Sequence, residues 1–377
     1  MRIGFDGKRA VQNFTGLGNY SRYVADILCH FYPENDYVLY APKKRENKRV
    51  NLLTGQYRQL TLAYPATSFW KKLSSLWRVW GITSQLEKEG IELFHGLSNE
   101  LPLNIHKSRI KSIVTIHDLI FLRYPQYYQS IDRKIYTYKF RKACENADKI
   151  IAISECTKRD IIRYLNIPDD KIEVVYQGCD VSFTHPVTEE KKEEVRKKYQ
   201  LPDHYILNVG SIEERKNILA AVQALPMLPQ HIHIVIVGRR TGYTEKVEQF
   251  IKDNGLGERV HIISNVPFND LPAFYQSAEI FVYPSRFEGF GIPIIEALYS
   301  GTPVVAATGS CLEEAGGPDS IYVNPDDITG LADAFKQIYS NSDKRKNMVE
   351  KGREFAKRFS EKQQSEEIIN IYKKLIR

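Results

Sequence analysis

The chain has 377 residues, of which 42% are hydrophobic and 26% are charged, and its formal net charge is +7. This composition is ordinary for a soluble globular protein, and the length favours two domains over one. No window of about 18 residues is apolar throughout, so no membrane span is expected, and the opening MRIGFDGKRA is more typical of a strand than of a secretory signal. Five scattered cysteines favour a reduced, cytoplasmic protein without a zinc cluster.

The positive charge is concentrated in the first half of the chain. Residues 1–180 contain 28 Lys and Arg against 19 Asp and Glu, whereas residues 181–377 contain 25 against 27. An excess of this kind favours an anionic partner, which would be nucleic acid, membrane lipid or a phosphorylated substrate. A solvated surface explains the same excess without a partner, and the charge alone does not choose between the two explanations.

Short apolar segments alternate with longer amphipathic segments along most of the chain. The short segments are typical of strands covered on both faces, and the alternation predicts parallel sheets built from β–α units. In the first half, strands are expected at MRIGFD, DYVLYAP, ELFHG, SIVTIHD, KIIAIS and IEVVYQG, and helices over 17–31, 69–89, 131–147 and 155–165.

Residues 180–200 interrupt this alternation with a proline and a dense cluster of charges. They predict a linker near residues 180–186 and a charged helix that opens the second half. Alternation then resumes, with strands expected at YILNVG, HIVIVG, RVHIIS, IFVYPS, PVVAAT and SIYVNP and helices over 216–226, 243–254, 293–300, 327–340, 344–358 and 361–376.

The predicted fold is α/β, with two doubly wound Rossmann-like domains that face a central cleft. The first domain is expected to span residues 1–182 and the second residues 183–360, while the last helix, 361–377, packs back towards the first domain. Ligands of open parallel sheets bind beyond the carboxyl ends of the strands, and facing domains add a cleft. Side chains that follow strands are therefore the candidates for function.

The first candidate is a glycine loop, NFTGLGNYSRY, in which Gly16 and Gly18 precede a helix. Glycines let a backbone approach a ligand closely, and the N–H groups of a helix start attract anions. A nicotinamide fingerprint is not matched, because Ser21 occupies the position of its third glycine. Contact with a substrate or a phosphate is favoured, and a plain loop-to-helix turn is the alternative.

Two histidines follow predicted strands. His117 ends the strand in VTIHDL, and His95 lies in LFHGLSNELP. A histidine at such an end can bind a substrate hydroxyl or transfer a proton, whereas the alternative is a structural histidine with satisfied hydrogen bonds. Position favours function for His117 and leaves His95 undecided.

A pair of cations follows the strand in NVGSIEERKNI. Arg215 and Lys216 precede a helix, where the macrodipole disfavours positive charge unless an anion compensates it. Such a pair can clamp a diphosphate, with arginine as a planar fork and lysine as a point charge. A functional role is therefore favoured over a solvated pair.

Two glutamates lie in the apolar segment SRFEGFGIPIIEAL. Glu288 falls in the loop after a strand, where Gly289 and Gly291 permit close contact with a ligand. Pro293 suits the first turn of a helix, and Glu296 then lies about one turn inside it. A buried carboxylate needs hydrogen-bond partners, and the vicinal hydroxyls of a ribose are suitable donors.

A tryptophan-rich segment, SFWKKLSSLWRVWGI, is basic as well as apolar. Trp70, Leu73, Trp77 and Trp80 recur at helical spacing, with Lys71, Lys72 and Arg78 between them. A helix of this kind can lie in a membrane interface. An ordinary helix whose aromatic side faces the core is the favoured alternative.

Together these motifs resemble the retaining glycosyltransferases of family 4, the large group 1 family with the GT-B architecture. The similarity extends over nearly the whole chain, and its most specific part is 279–325, which holds the two glutamates and the following GTPVVAA, GSCLEEAGG and YVNPDD. The segments GSIEERKN, TIHDL and FHGLSNELP resemble the mannosyltransferase-like branch that builds bacterial surface polysaccharides.

The resemblance implies roles for individual residues. The second glutamate of the family's pair binds the nucleotide ribose, and the first lies by the donor sugar, which would be Glu296 and Glu288. The implied catalytic residues are His117, which touches the sugar, Glu288, and the diphosphate clamp of Arg215 and Lys216. The implied donor-binding residues are Gly16, Gly18, Gly210, Ser211, Gly289, Phe290, Gly291, Ile292 and Glu296.

Two positions depart from the family's pattern. Ser211 stands where many relatives have an arginine directly after the glycine that ends the strand. Asn217 stands where a glycine often follows the lysine. Arg215 would supply the charge that Ser211 lacks. The resemblance therefore does not decide which two side chains bind the diphosphate.

The implied reaction moves mannose or a similar hexose from a GDP- or UDP-linked donor to a glycan or lipid-linked glycan, keeping the anomeric configuration. Neither a metal nor a cofactor is expected, since the cations and helix-start N–H groups would stabilise the leaving diphosphate. The enzyme would be cytoplasmic, bind no nucleic acid, and touch the inner face of an anionic membrane through its basic half. The alternatives are a nucleotide-sugar epimerase of the same architecture and a non-enzymatic module that binds anions or nucleic acid.

Overall fold

The computed structural model of the chain describes residues 1–376, which form two compact units. Unit 1 comprises Met1–Gln177 and the C-terminal segment from Glu361, and unit 2 comprises Gly178–Ser360. Each unit contains one sheet, and every strand pairing in both sheets is parallel. The predicted fold class, two doubly wound α/β domains, is confirmed.

The sheet of unit 1 has seven strands: β1 (Arg2–Asp6), β2 (Asp36–Tyr40), β3 (Leu60–Ala63), β4 (Leu93–Gly96), β5 (Lys111–Ile116), β6 (Lys149–Ala152) and β7 (Ile172–Val174). Their order across the sheet is β3-β2-β1-β4-β5-β6-β7. The inner strands are buried on both faces, which explains why their apolar residues follow one another without alternation.

Helices cover both faces of this sheet. They are α1 (Lys8–Gln12), α2 (Gly16–Phe31), α3 (Lys48–Gln56), α4 (Ser68–Lys72), α5 (Ser74–Leu76), α6 (Ile82–Lys88), α7 (Ile120–Arg123), α8 (Ser130–Asn146) and α9 (Glu155–Asp160). π-Helical turns lie at Trp77–Gly81 and Ile161–Leu165, and 3₁₀ turns at Ile105–Lys107, Pro125–Tyr127 and Asp169–Lys171.

Unit 2 repeats this plan with six strands. They are β8 (Tyr205–Val209), β9 (His233–Val237), β10 (Val260–Ile263), β11 (Ile280–Tyr283), β12 (Val304–Ala307) and β13 (Ile321–Val323), in the order β10-β9-β8-β11-β12-β13. The helices are α10 (Glu189–Tyr199), α11 (Ile218–Ala224), α12 (Thr244–Asp253), α13 (Leu271–Ser277), α14 (Ile292–Ser300), α15 (Leu312–Gly316), α16 (Ile328–Tyr339) and α17 (Ser342–Ala356). 3₁₀ turns lie at Val181–Thr184, Glu214–Lys216, Leu225–Met227, Phe268–Asp270 and Lys357–Phe359.

The last helix, α18 (Glu361–Ile376), belongs to unit 1 rather than to the unit that precedes it in the chain. Its side chains Ile368, Ile369 and Tyr372 are buried in the same core as Val24 and Leu28 of α2. Among the described residues, no helix is both long and apolar enough to cross a membrane.

Three local features of the structure differ from the sequence-based expectations. The short strand β3 was not expected, because only its first residue, Leu60, is buried and the segment lacks an apolar run. The helix expected over 69–89 is divided, since Leu73 leaves helical geometry with φ −105° and ψ 42° and a π-helical turn follows. The helix expected over 155–165 likewise ends in a π-helical turn, Ile161–Leu165.

The chain passes from unit 1 to unit 2 after Gln177, a few residues before the boundary expected at 182. The side chain of Gln177 hydrogen-bonds to His117 in unit 1. Phe183, by contrast, is fully buried against Phe268 and Tyr275 of unit 2, with ring centroids 5.7 and 5.5 Å away. Gln177 therefore still contacts unit 1, and the chain is packed in unit 2 by Phe183.

Candidate active site

In unit 2 the strand order changes direction between β8 and β11, which are parallel neighbours with Phe281 beside Leu207. The loops after both strands therefore leave from one edge of the sheet, and open α/β sheets bind ligands at such a point. Arg215 and Lys216 follow β8, and Glu288 follows β11. The structure thus brings the predicted cation pair and the first glutamate to one place.

Glu288 forms ion pairs with both cations. Its Oε2 lies 2.9 Å from Nη1 of Arg215, and its Oε1 lies 3.0 Å from Nζ of Lys216. Each of the three side chains is at most 16% exposed. Burial alone would raise the pKa of Glu288, but the charges of Lys216 and Arg215 outweigh it and lower the pKa to about 2. Burial would lower the pKa of Lys216, yet Glu288 raises it above its usual value, so Lys216 stays charged beside Glu288 at neutral pH.

Tyr283, the last residue of β11, completes this cluster. Its hydroxyl lies 3.0 Å from Nζ of Lys216 and 3.2 Å from Oε1 of Glu288, and the ammonium also stands 5.3 Å from the centre of the ring. Burial, with the nearby charge of Glu288, raises the pKa of Tyr283 to about 12, so the hydroxyl keeps its proton. The sequence did not single out Tyr283, because its position in β11 is also that of an ordinary core aromatic.

The backbone around Lys216 shows how the cation is held. The side chain passes beside Gly210, where a Cβ would come within 3.3 Å of Cδ of Lys216. Asn217 adopts left-handed geometry with φ 55°, which asparagine tolerates better than most residues. Its Nδ2 donates to the carbonyls of Pro284 and Pro325 at 3.2 and 2.8 Å, so it ties three loops of the strand edge together.

Ser211 contributes no charge to the loop. Its Oγ donates to Oε1 of Glu213 at 2.6 Å, and Oε2 of Glu213 lies 3.8 Å from Nη2 of Arg215. A backbone hydrogen bond from Arg286 to the carbonyl of Arg215, at 2.9 Å, joins the two loops. Arg215 therefore supplies a charge in this loop that Ser211 lacks.

Loop 288–291 is shaped by its backbone. The thiol of Cys311 donates to the carbonyls of Phe290 at 2.8 Å and Glu288 at 3.0 Å. The ring of Phe290 is buried against Phe359, 5.6 Å between centroids, so only its backbone is available to a ligand. Gly291 has φ 137°, a conformation that residues with a side chain rarely adopt.

Glu296 lies in α14, which begins at Ile292 with Pro293 in its first turn. The glutamate is half-buried, and its Oε2 accepts a hydrogen bond of 2.7 Å from the hydroxyl of Tyr275. Burial raises the pKa of Glu296 to about 7, helped by the negative charge of Asp180, while the bond from Tyr275 opposes the rise. The second glutamate thus titrates near neutral pH, whereas the first stays ionised.

A row of three aromatic rings runs between the two glutamates. Phe281 lies 5.2 Å from Tyr275 and 5.8 Å from Tyr283, measured between ring centroids. The hydroxyl at one end of the row binds Glu296, and the hydroxyl at the other end binds Glu288. Because buried aromatic rings have little freedom, this row fixes both carboxylates relative to β11.

His117 in unit 1 is buried, and both of its ring nitrogens have protein partners. Nε2 lies 2.9 Å from the carbonyl of Leu97, which can only accept, so the proton is on Nε2. Nδ1 then accepts from Nε2 of Gln177 at 3.2 Å, and the ring of Tyr20 packs edge-on at 4.6 Å. Burial lowers the pKa of His117 to about 4, with a smaller contribution from Arg9. Contact with a donor sugar stays a prediction and requires exchange of one of these bonds.

His95 has the structural role that the sequence left undecided. It is fully buried, with Nδ1 2.5 Å from the hydroxyl of Tyr372 and Nε2 2.8 Å from Oγ1 of Thr115. It therefore links α18 to the sheet of unit 1. No group of three or more His, Cys, Asp or Glu side chains within residues 1–376 is arranged to hold a metal ion.

The two N-terminal glycines have different surroundings in unit 1. A Cβ at Gly18 would lie 1.9 Å from the carbonyl oxygen of Asn13, so packing alone requires a glycine there. A Cβ at Gly16 would meet no atom within 4 Å, so packing does not explain that glycine. Gly16, the first residue of α2, is the better candidate for contact with a ligand.

Comparison with known proteins gives matches in both units. Residues 189–355 match the model of glycosyl transferases group 1, and residues 21–183 match that of glycosyltransferase family 4. O-antigen chain mannosyltransferase B of Escherichia coli is 30% identical over 289 residues, which are 75% of this chain and 74% of that protein. O-antigen chain mannosyltransferase RfbU of Salmonella typhimurium is 29% identical over 225 residues, 60% of each chain. The crystal structure of Anabaena Alr3699/HepE in complex with UDP shares the fold, with TM-score 0.78, 18% identity, and full coverage of both chains.

Proposed function

The chain belongs to the group 1 glycosyltransferases of family 4, and we propose that it transfers mannose or a similar hexose to a growing surface polysaccharide. Two mannosyltransferases that resemble it are named for O-antigen chains, which supports both the sugar and the class of acceptor. We propose further that the donor is a GDP- or UDP-linked hexose and that the acceptor is a glycan or a lipid-linked glycan.

The structural observation that supports a nucleotide diphosphate donor is the cluster of Glu288, Arg215 and Lys216 at the edge of the sheet of unit 2. Arg215 and Lys216 are both largely buried and share the carboxylate of Glu288, while Glu213 lies 3.8 Å from Arg215 alone. Two adjacent cations of this kind can bind a diphosphate, which accepts hydrogen bonds from both. The cluster also holds both cations in place before the donor arrives, so little reorganisation is needed when charge develops on the leaving group.

Arg215 and Lys216 would bind the diphosphate and stabilise it as the bond from sugar C1 to the phosphate oxygen breaks. Glu288, kept ionised by its low pKa, can accept a hydrogen bond from a sugar hydroxyl but cannot act as a general acid at neutral pH. Because both cations hold its carboxylate, it is also poorly suited to attack C1. This supports retention through attack by the acceptor hydroxyl on the face from which the diphosphate leaves, with the hydroxyl proton passing to a phosphate oxygen.

Glu296 would bind the ribose of the donor. One carboxylate oxygen accepts from Tyr275, and the vicinal ribose hydroxyls would donate to the carboxylate as well. Gly210, Ser211, Gly289, Phe290, Gly291 and Ile292 would surround the donor, with Phe290 contributing only backbone groups. In unit 1, Gly16 and His117 stay predicted ligand contacts, while Gly18 serves the packing of its own loop.

A screen of purified protein against GDP-mannose, UDP-glucose and UDP-galactose, with and without EDTA, tests these statements together. We expect one donor to release its nucleotide, EDTA to have no effect, and the product to keep the anomeric configuration in NMR spectra. Conversion of a donor to its epimer without an acceptor would instead identify an epimerase. Thermal stabilisation by oligonucleotides but not by nucleoside diphosphates would identify an anion-binding module.

A further inference from the structure

The positive excess of the first half of the chain is concentrated in two short segments. Residues 7–25 and 41–50 contain eight Lys and Arg and a single acidic residue, Glu46. They therefore carry seven of the nine excess positive charges of residues 1–180, in which 28 Lys and Arg stand against 19 Asp and Glu. Solubility does not require such clustering, whereas concentrated charge of one sign raises the local concentration of anions. The clustering therefore favours an anionic partner over a solvated surface.

The second segment forms a loop beside helix α1. We call residues 43–49, with the sequence KKRENKR, the basic loop, and they lead from β2 into α3. Asn47 of this loop is buried, and its Nδ2 donates to the carbonyls of Ala10 and Val11 at 3.2 and 3.0 Å. Its Oδ1 accepts from the backbone N–H of Arg49 at 3.1 Å. One buried amide therefore fixes the basic loop against α1.

The basic loop contacts the glycine loop at two further points. The guanidinium of Arg45 lies 5.9 Å from the centre of the ring of Phe14, which is 52% exposed. Nη1 of Arg49 donates to Oδ1 of Asn19 at 3.2 Å. Phe14 and Asn19 flank Gly16 in the chain, and Gly16 is the glycine that packing does not explain. The cations of the basic loop thus lie next to a predicted ligand contact.

Two arginines share one neutral acceptor at this place. Nη2 of Arg22 donates to the same Oδ1 of Asn19 at 2.6 Å, and its Nη1 donates to the carbonyls of Ala10 and Asn13 at 2.7 and 2.9 Å. Among residues 1–376, neither Arg22 nor Arg49 forms an ion pair with a carboxylate. Burial, with a smaller contribution from Arg49, lowers the pKa of Arg22 to about 10, so it is still charged at neutral pH. A buried charge without a counterion costs free energy, which a bound anion would offset.

The arginines belong to the edge of unit 1 at which a ligand is expected. Asp6 and Tyr40, the last residues of β1 and β2, are partners in the parallel register, so α1 and the basic loop leave from the same edge of the sheet. The strand order changes direction between β1 and β4, and open α/β sheets bind ligands at such a point. Arg9 of α1 lies close enough to His117 to contribute to its low pKa.

We propose that Arg45 and Arg49 of the basic loop, together with the buried Arg22, form a phosphate subsite of unit 1 that holds an acceptor carrying a phosphate group. The guanidinium fork matches the oxygens of a phosphate, and the phosphate would supply the negative charge that Asn19 lacks. The subsite is separate from the cluster that we propose binds the donor diphosphate in unit 2. Only the assignment of the phosphate to an acceptor rests on the proposed function.

Two other anionic partners fit the geometry less well. A lipid surface attracts basic segments without fixed geometry, whereas Arg22 and Arg49 are both held by hydrogen bonds to one side chain. A nucleic acid strand is followed by cations along an extended groove, whereas these cations lie on one short loop and the helices beside it. A compact anion therefore fits this arrangement best.

Calorimetric titration with inorganic pyrophosphate tests the subsite. The full chain with Lys216→Ala is the background, because the cluster of unit 2 then has one cation and one carboxylate. We expect binding that weakens as salt is raised. Arg45→Gln with Arg49→Gln in this background should weaken it by about tenfold or more. The matched control, Arg58→Gln with Arg109→Gln, removes two exposed arginines that precede β3 and β5 at the opposite edge of the same sheet, and it should bind like the background.

A second variant tests the charge balance without removing an arginine. Asn19→Asp places a carboxylate where Arg22 and Arg49 already donate, so it should raise Tm and weaken pyrophosphate binding by about tenfold or more. A lower Tm with unchanged binding would show that the two arginines need no anion. Mannose 1-phosphate should bind to the background chain and mannose should not, which tests the assignment to a phosphorylated acceptor.

Three outcomes would overturn the proposal. They are equal pyrophosphate binding by the Arg45 and Arg49 variant and its control, no pyrophosphate binding by the background chain, and binding of anionic vesicles or oligonucleotides through Arg45 and Arg49 in place of pyrophosphate. Binding of pyrophosphate but not of mannose 1-phosphate would overturn the statement about the acceptor. Because these titrations contain no donor, they succeed or fail independently of the donor screen that tests the proposed function.

Discussion

The hydroxyl of Tyr275 donates a 2.7 Å hydrogen bond to Glu296, and the backbone of the same tyrosine is held by Thr302, whose Oγ1 donates to its carbonyl at 2.6 Å. Glu296 is therefore positioned from outside its own helix. Without this hydrogen bond, the carboxylate would depend on water for its hydrogen-bond donors. The contact makes Tyr275 a positioning residue for the carboxylate that we propose binds ribose.

Tyr275→Phe should change the pH dependence of nucleotide binding. The lost hydrogen bond favours the ionised carboxylate, so the pKa of Glu296 should rise above about 7, and binding should then need a higher pH. We expect nucleoside diphosphate binding to be about three- to tenfold weaker near neutral pH and to recover in alkaline buffer. Calorimetric titrations across pH measure this, with Tyr205→Phe, whose hydroxyl binds the carbonyl of Phe274, as the control. Identical pH profiles for the two variants would contradict the assignment.

Glu296→Ala should weaken binding of the nucleotide and leave the residues proposed to act at the sugar unchanged. Hydrogen bonds to a charged group contribute about 1.5–3 kcal/mol, so the dissociation constant should rise by roughly ten- to a hundredfold. Because the contact is present in the ground state, KM should change more than kcat. Glu350→Ala, at an exposed glutamate of α17, is the control for loss of one negative charge in unit 2.

Lys216→Ala should lower turnover more than it lowers binding. Removal of one preorganised donor from a developing charge typically costs about a hundred- to a thousandfold in kcat. The variant also leaves Glu288 with Arg215 alone, so the pKa of Glu288 should rise towards its ordinary value. Steady-state kinetics with saturating donor measure the effect, and full activity in this variant would refute the clamp. Lys346→Ala on α17 is a matched control at an exposed lysine.

Glu296→Gln should make stability less dependent on pH. The folded protein holds the proton of Glu296 up to about pH 7, whereas the unfolded chain releases it near 4.5, so the stabilising contribution is complete below 4.5 and is lost as pH rises to 7. A glutamine does not titrate and keeps the neutral form. The difference in free energy of unfolding between the variant and the unmodified protein should therefore shift in favour of the variant by about 1 kcal/mol or more from pH 5 to pH 8. Thermal unfolding of both proteins at each pH, followed as Tm, measures this shift.

Gly16→Ala and Gly18→Ala should behave differently although they lie two positions apart. A Cβ at Gly18 would overlap the carbonyl oxygen of Asn13, so this variant should lose several kcal/mol or fail to fold. At Gly16 the space is open and the residue begins a helix, so Tm should change little. A loss of activity in Gly16→Ala without a loss of stability would report contact with a ligand. Normal activity in that variant would remove Gly16 from the proposed site.

The meeting of Arg215, Lys216 and Glu288 at one edge of the sheet was largely predictable from the sequence. A parallel sheet places the residues after its strands at one edge, and the resemblance to the glycosyltransferase family assigned both loop motifs to one site. The ion pairs among them were not predictable. The macrodipole argument indicated an anion near the two cations, and the structure shows the carboxylate of Glu288 in contact with both.

His117 shows where position along the strand was insufficient. The sequence placed it correctly after β5, but whether a ring nitrogen is available depends on Leu97 and Gln177, which are distant along the chain. The tryptophan-rich segment shows the same limit. Helical spacing described one stripe of Trp70, Leu73, Trp77 and Trp80. In the structure Trp77 is in the core, the partly buried Trp70 packs against that core, and Leu73 and Trp80 are exposed.

The sequence by itself determined the parallel α/β fold, the family, and the strand ends at which functional residues are predicted, because periodicity and loop motifs are local properties of the chain. Only the tertiary structure decided which partners complete each site. Tyr275, Tyr283 and Cys311 hold the two glutamates and their loop from other elements, and Glu100 pairs with both Arg78 and Lys139 of α8. Such contacts depend on distances between residues far apart in the chain, which hydrophobic pattern and spacing do not encode.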